Sequence, residues 1–151
     1  MSVVHVGMIG CGGIAYGKHF PSLAKIPEVR LTAFFDVSAE RAHDAKEKFG
    51  TPDAKVYSSV QDLLNDPDVQ VVHVCTPNDT HAEISIAAME AGKHVLCEKP
   101  MAKTSEDARR MLETSERTGR KLSIAYQNRF RADSRWLKEA CRKGELGEIY
   151  M

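Results

Sequence analysis

A glycine-rich segment near the start of the chain is the first feature that could bind a ligand. It consists of Gly10, Cys11, Gly12, Gly13, Ile14 and Ala15, and it fits the pattern G-x-G-x-x-A. In that pattern Gly10 permits a tight turn, Gly12 lets the backbone approach a pyrophosphate, and Ala15 lets the next helix pack closely on a sheet. Glycine-rich turns are common, so the pattern indicates a dinucleotide site only where it joins a strand to a helix.

A carboxylate follows at the spacing that a dinucleotide site requires. Asp36 comes about 20 residues after the glycine segment, where a carboxylate can accept hydrogen bonds from the hydroxyls of the adenosine ribose. The same charge would repel a 2′-phosphate, so NAD is favoured over NADP as the cofactor. The alternative is that Asp36 only caps a helix, because Ser38 follows it closely.

Polar residues also follow the fourth predicted strand. The segment Thr76-Pro77-Asn78 is followed by His81 in the first turn of a predicted helix. Ligands of doubly wound sheets bind beyond the carboxyl ends of the strands, so these residues are well placed to line one. The alternatives are that Asn78 and Thr80 only cap the helix and that His81 is solvated at its start.

The segment Glu98-Lys99-Pro100 follows the fifth predicted strand and offers an amine for proton transfer. Pro100 restricts Lys99 to extended backbone, and the bond between them can be cis or trans. Beside a bound nicotinamide, partly buried Lys99 could donate to a substrate hydroxyl or carbonyl. From these residues alone, a surface Glu-Lys pair before a turn is the favoured interpretation.

Arg129, after the sixth strand, could bind an anionic or hydroxylated substrate or pair with a carboxylate.

Alternating strands and helices are predicted to position these residues. Apolar runs predict strands at 3–9, 29–35, 55–57, 69–75, 94–97 and 122–126. Helices are predicted at 14–25, 38–48, 59–64, 80–91, 104–118 and 131–143, with a kink or early end at Pro21 and a capping box at Thr80 and Glu83. This alternation predicts an α/β fold, a doubly wound parallel sheet of Rossmann type with strand order 3-2-1-4-5-6.

The composition fits one globular domain and argues against several classes of function. The chain has 151 residues with 21 basic and 21 acidic side chains, and this zero net charge disfavours nucleic-acid and membrane-surface binding. It contains no apolar run of roughly 18 residues that would predict a transmembrane helix and no signal-peptide pattern. Four cysteines without metal-type spacing predict reduced thiols, no metal site and a cytoplasmic location. We expect His5 and His73 to be neutral, hydrogen-bonded residues of central strands.

Taken in order, the segment 10–15, Asp36, Thr76-Pro77-Asn78 with His81, and Glu98-Lys99-Pro100 resemble the glucose–fructose oxidoreductase/inositol dehydrogenase superfamily (Gfo/Idh/MocA). The resemblance covers residues 1–151 as one dinucleotide-binding Rossmann domain. It implies an NAD(P)-dependent oxidoreductase that acts on a sugar, polyol or related small hydroxy compound. Members of this family also carry a carboxyl-terminal domain, absent here, that supplies most substrate contacts and commonly the oligomer interface.

The resemblance further implies a role for each residue. The glycine segment would hold the pyrophosphate, Asp36 the adenosine ribose, and residues 76–78, His81 and Glu98 the cofactor toward its nicotinamide. Lys99 would be the catalytic residue that contacts the substrate hydroxyl. We expect the full-length protein to be a homo-oligomeric enzyme and this chain alone to bind NAD weakly without turnover. The alternatives are a non-catalytic dinucleotide-binding sensor or regulatory module and an assembly role.

Overall fold

The apolar runs of the sequence form six parallel strands in one sheet. The computed structural model, which describes residues 3–150, has these strands at Val4–Ile9, Val29–Phe35, Lys55–Val56, Val71–Val74, His94–Cys97 and Leu122–Ile124 (β1 to β6). Their order in the sheet is β3-β2-β1-β4-β5-β6, and every neighbouring pair is parallel. The predicted doubly wound fold is confirmed.

Helices connect the strands and cover the sheet. The first, α1, has a π-helical part at Ala15–His19 and an α-helical part at Phe20–Leu23. The others lie at Ala39–Phe49, Val60–Asn65, His81–Glu90, Ser105–Thr118 and Ala132–Arg142 (α2 to α6), with a 3-10 turn at Gln127–Phe130 before α6. Each helix lies at its predicted place, within a few residues at either end. None of the helices described is long and apolar enough to cross a membrane.

Pro21 changes the hydrogen bonding of α1 instead of ending the helix. Proline has no N–H to donate, so a regular α-helical ladder cannot continue through it. The helix widens just before this residue, and the N–H of Phe20 donates to the carbonyl of Ala15, five residues earlier. One α-helical turn then carries the chain to Leu23. The predicted kink or early end takes the form of a π-helical segment.

Two apolar clusters lie on the two faces of the sheet, because neighbouring strand residues such as Met8 and Ile9 point to opposite sides. Met8 packs with Phe20 of α1 and Phe34 of β2 in one cluster. Ile9 belongs to the other, which includes buried residues of β4 and β5 and of α3, α4 and α5. Three of the four free cysteines are buried, namely Cys11, Cys75 and Cys97, and Cys141 is exposed.

Candidate functional site

The carboxyl ends of β1, β2 and β4 bring three of the predicted segments to one cavity. Its volume is about 300 Å³. The lining residues come from the glycine segment, from the end of β2 with the start of α2, and from the end of β4; they are Gly10, Gly12, Gly13, Ile14, Phe35, Asp36, Val37, Arg41, Cys75, Thr76 and Pro77. This cavity lies where a doubly wound sheet changes direction between β1 and β4, the position at which such sheets bind ligands.

The glycines of the segment differ in what surrounds them. Gly10 has a φ of +93°, and a Cβ there would lie 2.7 Å from the backbone carbonyl of Cys75. A side chain is therefore excluded at Gly10 by both conformation and space. A Cβ at Gly12 or Gly13 would meet nothing within 4 Å. The open space above these two glycines fits a phosphate group that approaches the backbone closely.

Asp36 accepts hydrogen bonds on both carboxylate oxygens. Its Oδ2 accepts from the N–H of Cys11 at 2.7 Å, which ties the glycine segment to the end of β2. Its Oδ1 accepts from the N–H of Ser38 at 2.8 Å, which is a local capping contact. Burial alone would raise the pKa of Asp36, but hydrogen bonds from Arg41, Ser38 and Cys11 outweigh it and hold the pKa below its usual value. The carboxylate is therefore charged and fixed in orientation at the cavity.

Arg41 is a residue of this site that the sequence reasoning missed. Its Nε and Nη2 lie 3.1 and 2.8 Å from Oδ1 of Asp36, while half of its side chain (54%) stays exposed. The signal was its position five residues after Asp36, in the first turn of a helix that begins directly behind the carboxylate. Arg41 therefore places a cation at the cavity beside Asp36, the carboxylate that was expected to repel the 2′-phosphate of NADP.

The thiol of Cys11 lies inside the glycine segment but is not a nucleophile. The residue is almost fully buried, and burial, with a further contribution from the charge of Asp36, raises the pKa of Cys11 to about 12. A thiol with such a pKa stays protonated at neutral pH. The backbone N–H of Cys11 donates to Asp36, and through this contact Cys11 helps to fix the carboxylate at the cavity.

His81 joins the segments that follow β4 and β5. It is fully buried, with Nδ1 at 2.7 Å from the carbonyl oxygen of Pro100 and Nε2 at 2.9 Å from that of Thr76. The interpretation of His81 as a solvated residue is wrong. The predicted capping box is also wrong, because the Thr80 hydroxyl lies 2.7 Å from the Thr76 hydroxyl and caps nothing. Asn78 is exposed beside these residues.

The segment after β5 combines a buried carboxylate with an exposed amine. Glu98 is buried; its Oε1 lies 2.8 Å from Nε2 of His19, and its Oε2 accepts from the N–H of Lys99 at 2.9 Å. The Lys99–Pro100 bond is cis, and the Lys99 side chain is exposed. The interpretation of Glu98 and Lys99 as a surface pair is therefore wrong, because Glu98 is buried. The partial burial considered for Lys99 is not found either, because its side chain is exposed. His19 was missed by sequence reasoning.

Arg129 does not reach the cavity of the glycine segment. It is exposed in the 3-10 turn and lines a separate groove of about 610 Å³ between β6 and α6. Within residues 3–150 no carboxylate forms an ion pair with it. The structure thus places Arg129 outside the cavity that the glycine segment lines.

His73 lies on β4, beside His19 of α1. It is almost completely buried, its ring stands edge-on to that of His19, and its Nδ1 has no hydrogen-bond partner among the described residues. Burial, with a smaller effect of His19, lowers the pKa of His73 to about 3. The residue is neutral, as expected, but the expected hydrogen bond is missing at Nδ1. The described residues contain no cluster of metal-binding side chains.

Comparison with known proteins agrees with this geometry. The family model described as "Oxidoreductase family, NAD-binding Rossmann fold" matches residues 4–126. The D-glucoside 3-dehydrogenase of Escherichia coli is 37% identical over 150 residues, which are 99% of this chain and 42% of that protein.

Two solved structures resemble the chain closely. The WlbA dehydrogenase of Bordetella pertussis, in complex with NADH and UDP-GlcNAcA, is 31% identical with a TM-score of 0.91, over 99% of this chain and 42% of that one. The 3-ketoreductase KijD10 of Actinomadura kijaniata, in complex with NADP, is 32% identical with a TM-score of 0.87, over 98% of this chain and 46% of that one. The chain therefore spans less than half the length of these relatives.

Proposed function

The chain belongs to the GFO_IDH_MocA family of oxidoreductases with an NAD-binding Rossmann fold, and we propose that its cavity binds NAD for hydride transfer to or from a sugar, polyol or related hydroxy compound. The observation that carries the proposal is that the charged carboxylate of Asp36 and the open space above Gly12 face one cavity. When bound, the nicotinamide ring would accept or give up the hydride.

Each part of the cavity suits one part of the cofactor. The backbone at Gly12 and Gly13, with the N-terminal end of α1 behind it, would receive the pyrophosphate. Asp36 would accept hydrogen bonds from the adenosine ribose, since its charge and orientation are already fixed by Cys11 and Ser38. The nicotinamide would extend toward the segments that His81 holds together, those that follow β4 and β5.

We propose NAD as the preferred cofactor. The carboxylate of Asp36 would repel the 2′-phosphate of NADP. The neighbouring guanidinium of Arg41 offsets part of that repulsion, so the discrimination is one of degree. Relatives support both possibilities, because the WlbA structure contains NADH and the KijD10 structure contains NADP.

Lys99 is proposed as the catalytic residue of the full-length enzyme. Its exposed amine could exchange a proton with the hydroxyl of a bound substrate, and Arg129 is retained as a more distant substrate contact. The sugar class is supported by the D-glucoside 3-dehydrogenase among the relatives. Because the amine stands in solvent, we expect this chain alone to bind NAD without turnover. The names of the relatives give no support to a sensor or assembly role.

Calorimetric titration of the purified chain with NAD and then with NADP tests the proposal. We expect NAD to bind more tightly, and Asp36→Ala to lower its affinity at least about tenfold, since each hydrogen bond to a charged group contributes about 1.5 kcal/mol. Asp36→Ala should weaken NADP less than NAD. Glu47→Ala, which removes an exposed carboxylate of α2 outside the cavity, is the control. A folded chain that binds neither nucleotide, or an Asp36→Ala chain that binds NAD normally, would contradict the proposal.

A further inference from the structure

The backbone of Lys99 is fixed on both sides while its side chain is free. On one side its N–H donates to Oε2 of Glu98 at 2.9 Å. On the other, the carbonyl of Pro100 lies 2.7 Å from Nδ1 of the buried His81. An exposed side chain on a backbone held in this way has a defined point of attachment. The residue that holds Glu98 therefore influences where the amine can reach.

We propose that His19 is a positioning residue for Lys99, acting through Glu98. The inference rests on the proposed catalytic function of Lys99. His19 is 79 residues away from Glu98 in the sequence, yet its Nε2 lies 2.8 Å from Oε1. Both side chains are nearly buried, with 10% and 8% of their surface exposed. With Oε1 held by His19, the carboxylate presents Oε2 to the N–H of Lys99.

The local structure of α1 explains why His19 reaches Glu98. Ala15 is fully buried, so this side of α1 faces the sheet. The π-helical segment that precedes Pro21 ends at His19. Wide turns of this kind are frequent at functional sites. The ring of His19 therefore lies between α1 and the sheet, in edge contact with His73.

This arrangement gives Glu98 a structural role in addition to any contact with a cofactor. One oxygen is engaged by His19 and the other by the N–H of Lys99, and the side chain is buried beside α1. A buried carboxylate without these partners would carry a large desolvation cost. Glu98 thus links the first helix to the segment after β5 through His19 on one side and the N–H of Lys99 on the other.

The protonation of the His19 ring gives a test that needs no variant. A carboxylate oxygen only accepts hydrogen bonds, so Nε2 of His19 must carry a proton in this arrangement. Long-range ¹H–¹⁵N spectra of the chain should show His19 protonated at Nε2. A ring protonated only at Nδ1 would place a lone pair against the carboxylate and would overturn the proposal.

The second test uses two variants of His19 that both carry a side-chain amide but differ in side-chain length. The amide of glutamine can take the place of Nε2, whereas that of asparagine is too short to reach Glu98. We expect His19→Asn to speed hydrogen exchange of the Lys99 amide about tenfold and His19→Gln to leave it nearly unchanged, because a hydrogen bond to a charged group is lost only with asparagine. Exchange is followed by NMR in the free chain.

Two internal references separate positioning from general loosening. The amide of Val95, on the strand β5 that precedes Lys99, donates to the carbonyl of Lys121 and should not change in either variant. The matched control His43→Asn alters an exposed histidine of α2 and should leave the Lys99 amide unchanged. Equal effects of asparagine and glutamine at His19, or no effect of either, would overturn the proposal.

The outcome is distinguishable from a failure of the proposed function. The exchange of the Lys99 amide is measured without nucleotide, so it reports the contact from His19 to Lys99 whether or not NAD binds. In calorimetry, His19→Asn should change NAD affinity less than about threefold, because the residues that line the cavity beside the glycine segment and Asp36 are unchanged. Loss of NAD binding in His19→Asn as large as in Asp36→Ala would place His19 in the cofactor site and overturn a positioning role.

Discussion

At the carboxyl edge of the sheet, the end formed by β1 and β2 differs from the end formed by β5 and β6 in which groups are fixed. At the first end the polar side chain itself is held, since Asp36 accepts from Cys11, Ser38 and Arg41. At the second end the backbone is held and the side chain of Lys99 is free. The difference teaches that the proposed cofactor site would use side chains that are already fixed, whereas the amine proposed for catalysis would still need a substrate to orient it.

The largest effects are expected from alanine substitutions in the glycine segment, at the end formed by β1 and β2. Substitution of Gly10 should mainly reduce stability, whereas substitution of Gly12 should mainly reduce NAD affinity. Gly10→Ala should lower the free energy of unfolding by about 3 kcal/mol, because it combines a positive φ with overlap against packed backbone. Gly12→Ala should leave stability within about 1 kcal/mol, because its surroundings are open. It should still weaken NAD about tenfold by occupying the space of the pyrophosphate. Thermal unfolding and calorimetry of both variants measure these effects.

Equal destabilisation by the two substitutions would contradict this account of the segment. Normal NAD binding by Gly12→Ala would show that the open space above the glycine is not where the pyrophosphate lies. Gly17→Ala, at a helical glycine with nothing within 4 Å of the added Cβ and outside the cavity lining, is the control for both measurements.

The chain should lose stability in mild acid because of His73, which lies on β4 in edge contact with His19. The pKa of this residue is lowered to about 3 in the folded chain, from 6.5 for an ordinary histidine. Between these values the unfolded chain binds a proton that the folded chain does not, so stability is fully present above pH 6.5 and declines as the pH falls. The slope attributable to His73 is up to about 1.4 kcal/mol per pH unit. Urea unfolding between pH 7 and 4.5, compared with His73→Leu, measures it.

The exposed residue His43 gives the matched control for that experiment. His43→Leu should keep the pH slope of the unmodified chain, whereas His73→Leu should flatten it. Asp36 acts in a lower window, because its lowered pKa contributes stability above about pH 4 that is lost only as the pH falls through the folded value. An unchanged slope in His73→Leu would show that the stability of the chain does not depend on a neutral buried imidazole at this position.

A smaller effect is expected from Arg41, which tests how strictly the first end selects NAD. Arg41→Ala removes the cation that faces Asp36 and leaves the carboxylate without its charged partner. The ratio of NAD to NADP affinity should rise about fivefold, because the 2′-phosphate then meets a less compensated negative charge. Titrations with both nucleotides at low and high salt measure the ratio. A fall in the ratio would show that Arg41 serves NAD directly.

The smallest effect is expected from Val37, an apolar residue at the mouth of the cavity. Its side chain is 89% exposed and lines the same cavity as Asp36, where it could cover one face of a bound adenine. Val37→Ser should weaken NAD about fourfold through lost apolar contact, without changing the preference over NADP. A shift in that preference would show that this position contacts the 2′ side of the ribose.

Local patterns made most of the fold predictable. The alternation of β-branched runs with helical stretches predicted the strand order that the structure has. In the structure Ser59 and Thr104 also cap their helices. Gly10 and Asp36 were predicted because they belong to a local pattern. The glycine turn after β1 and the spacing from that turn to the carboxylate after β2 can both be recognised in the sequence. The site roles of these residues stay predictions until a nucleotide is titrated.

The contacts that sequence reasoning missed or misread join distant parts of the chain. His19 meets Glu98 across 79 residues, and no local spacing encodes that contact. The clue was the four-residue interval from Ala15 to His19, which puts both on the side of α1 that faces the sheet. His81 was misread because helix starts are usually solvated, whereas here the carbonyl groups of Thr76 and Pro100 enclose the ring.

The distribution of the four cysteines makes the chain suitable for labelling at one position. Cys11, Cys75 and Cys97 are buried, and burial raises the pKa of each thiol, so a maleimide would react with them slowly. Cys141 alone is exposed, on the last described helix and away from the glycine segment. A fluorophore attached there would leave the thiol beside Asp36 unmodified, and the unaltered sequence could report nucleotide binding in a single-molecule experiment.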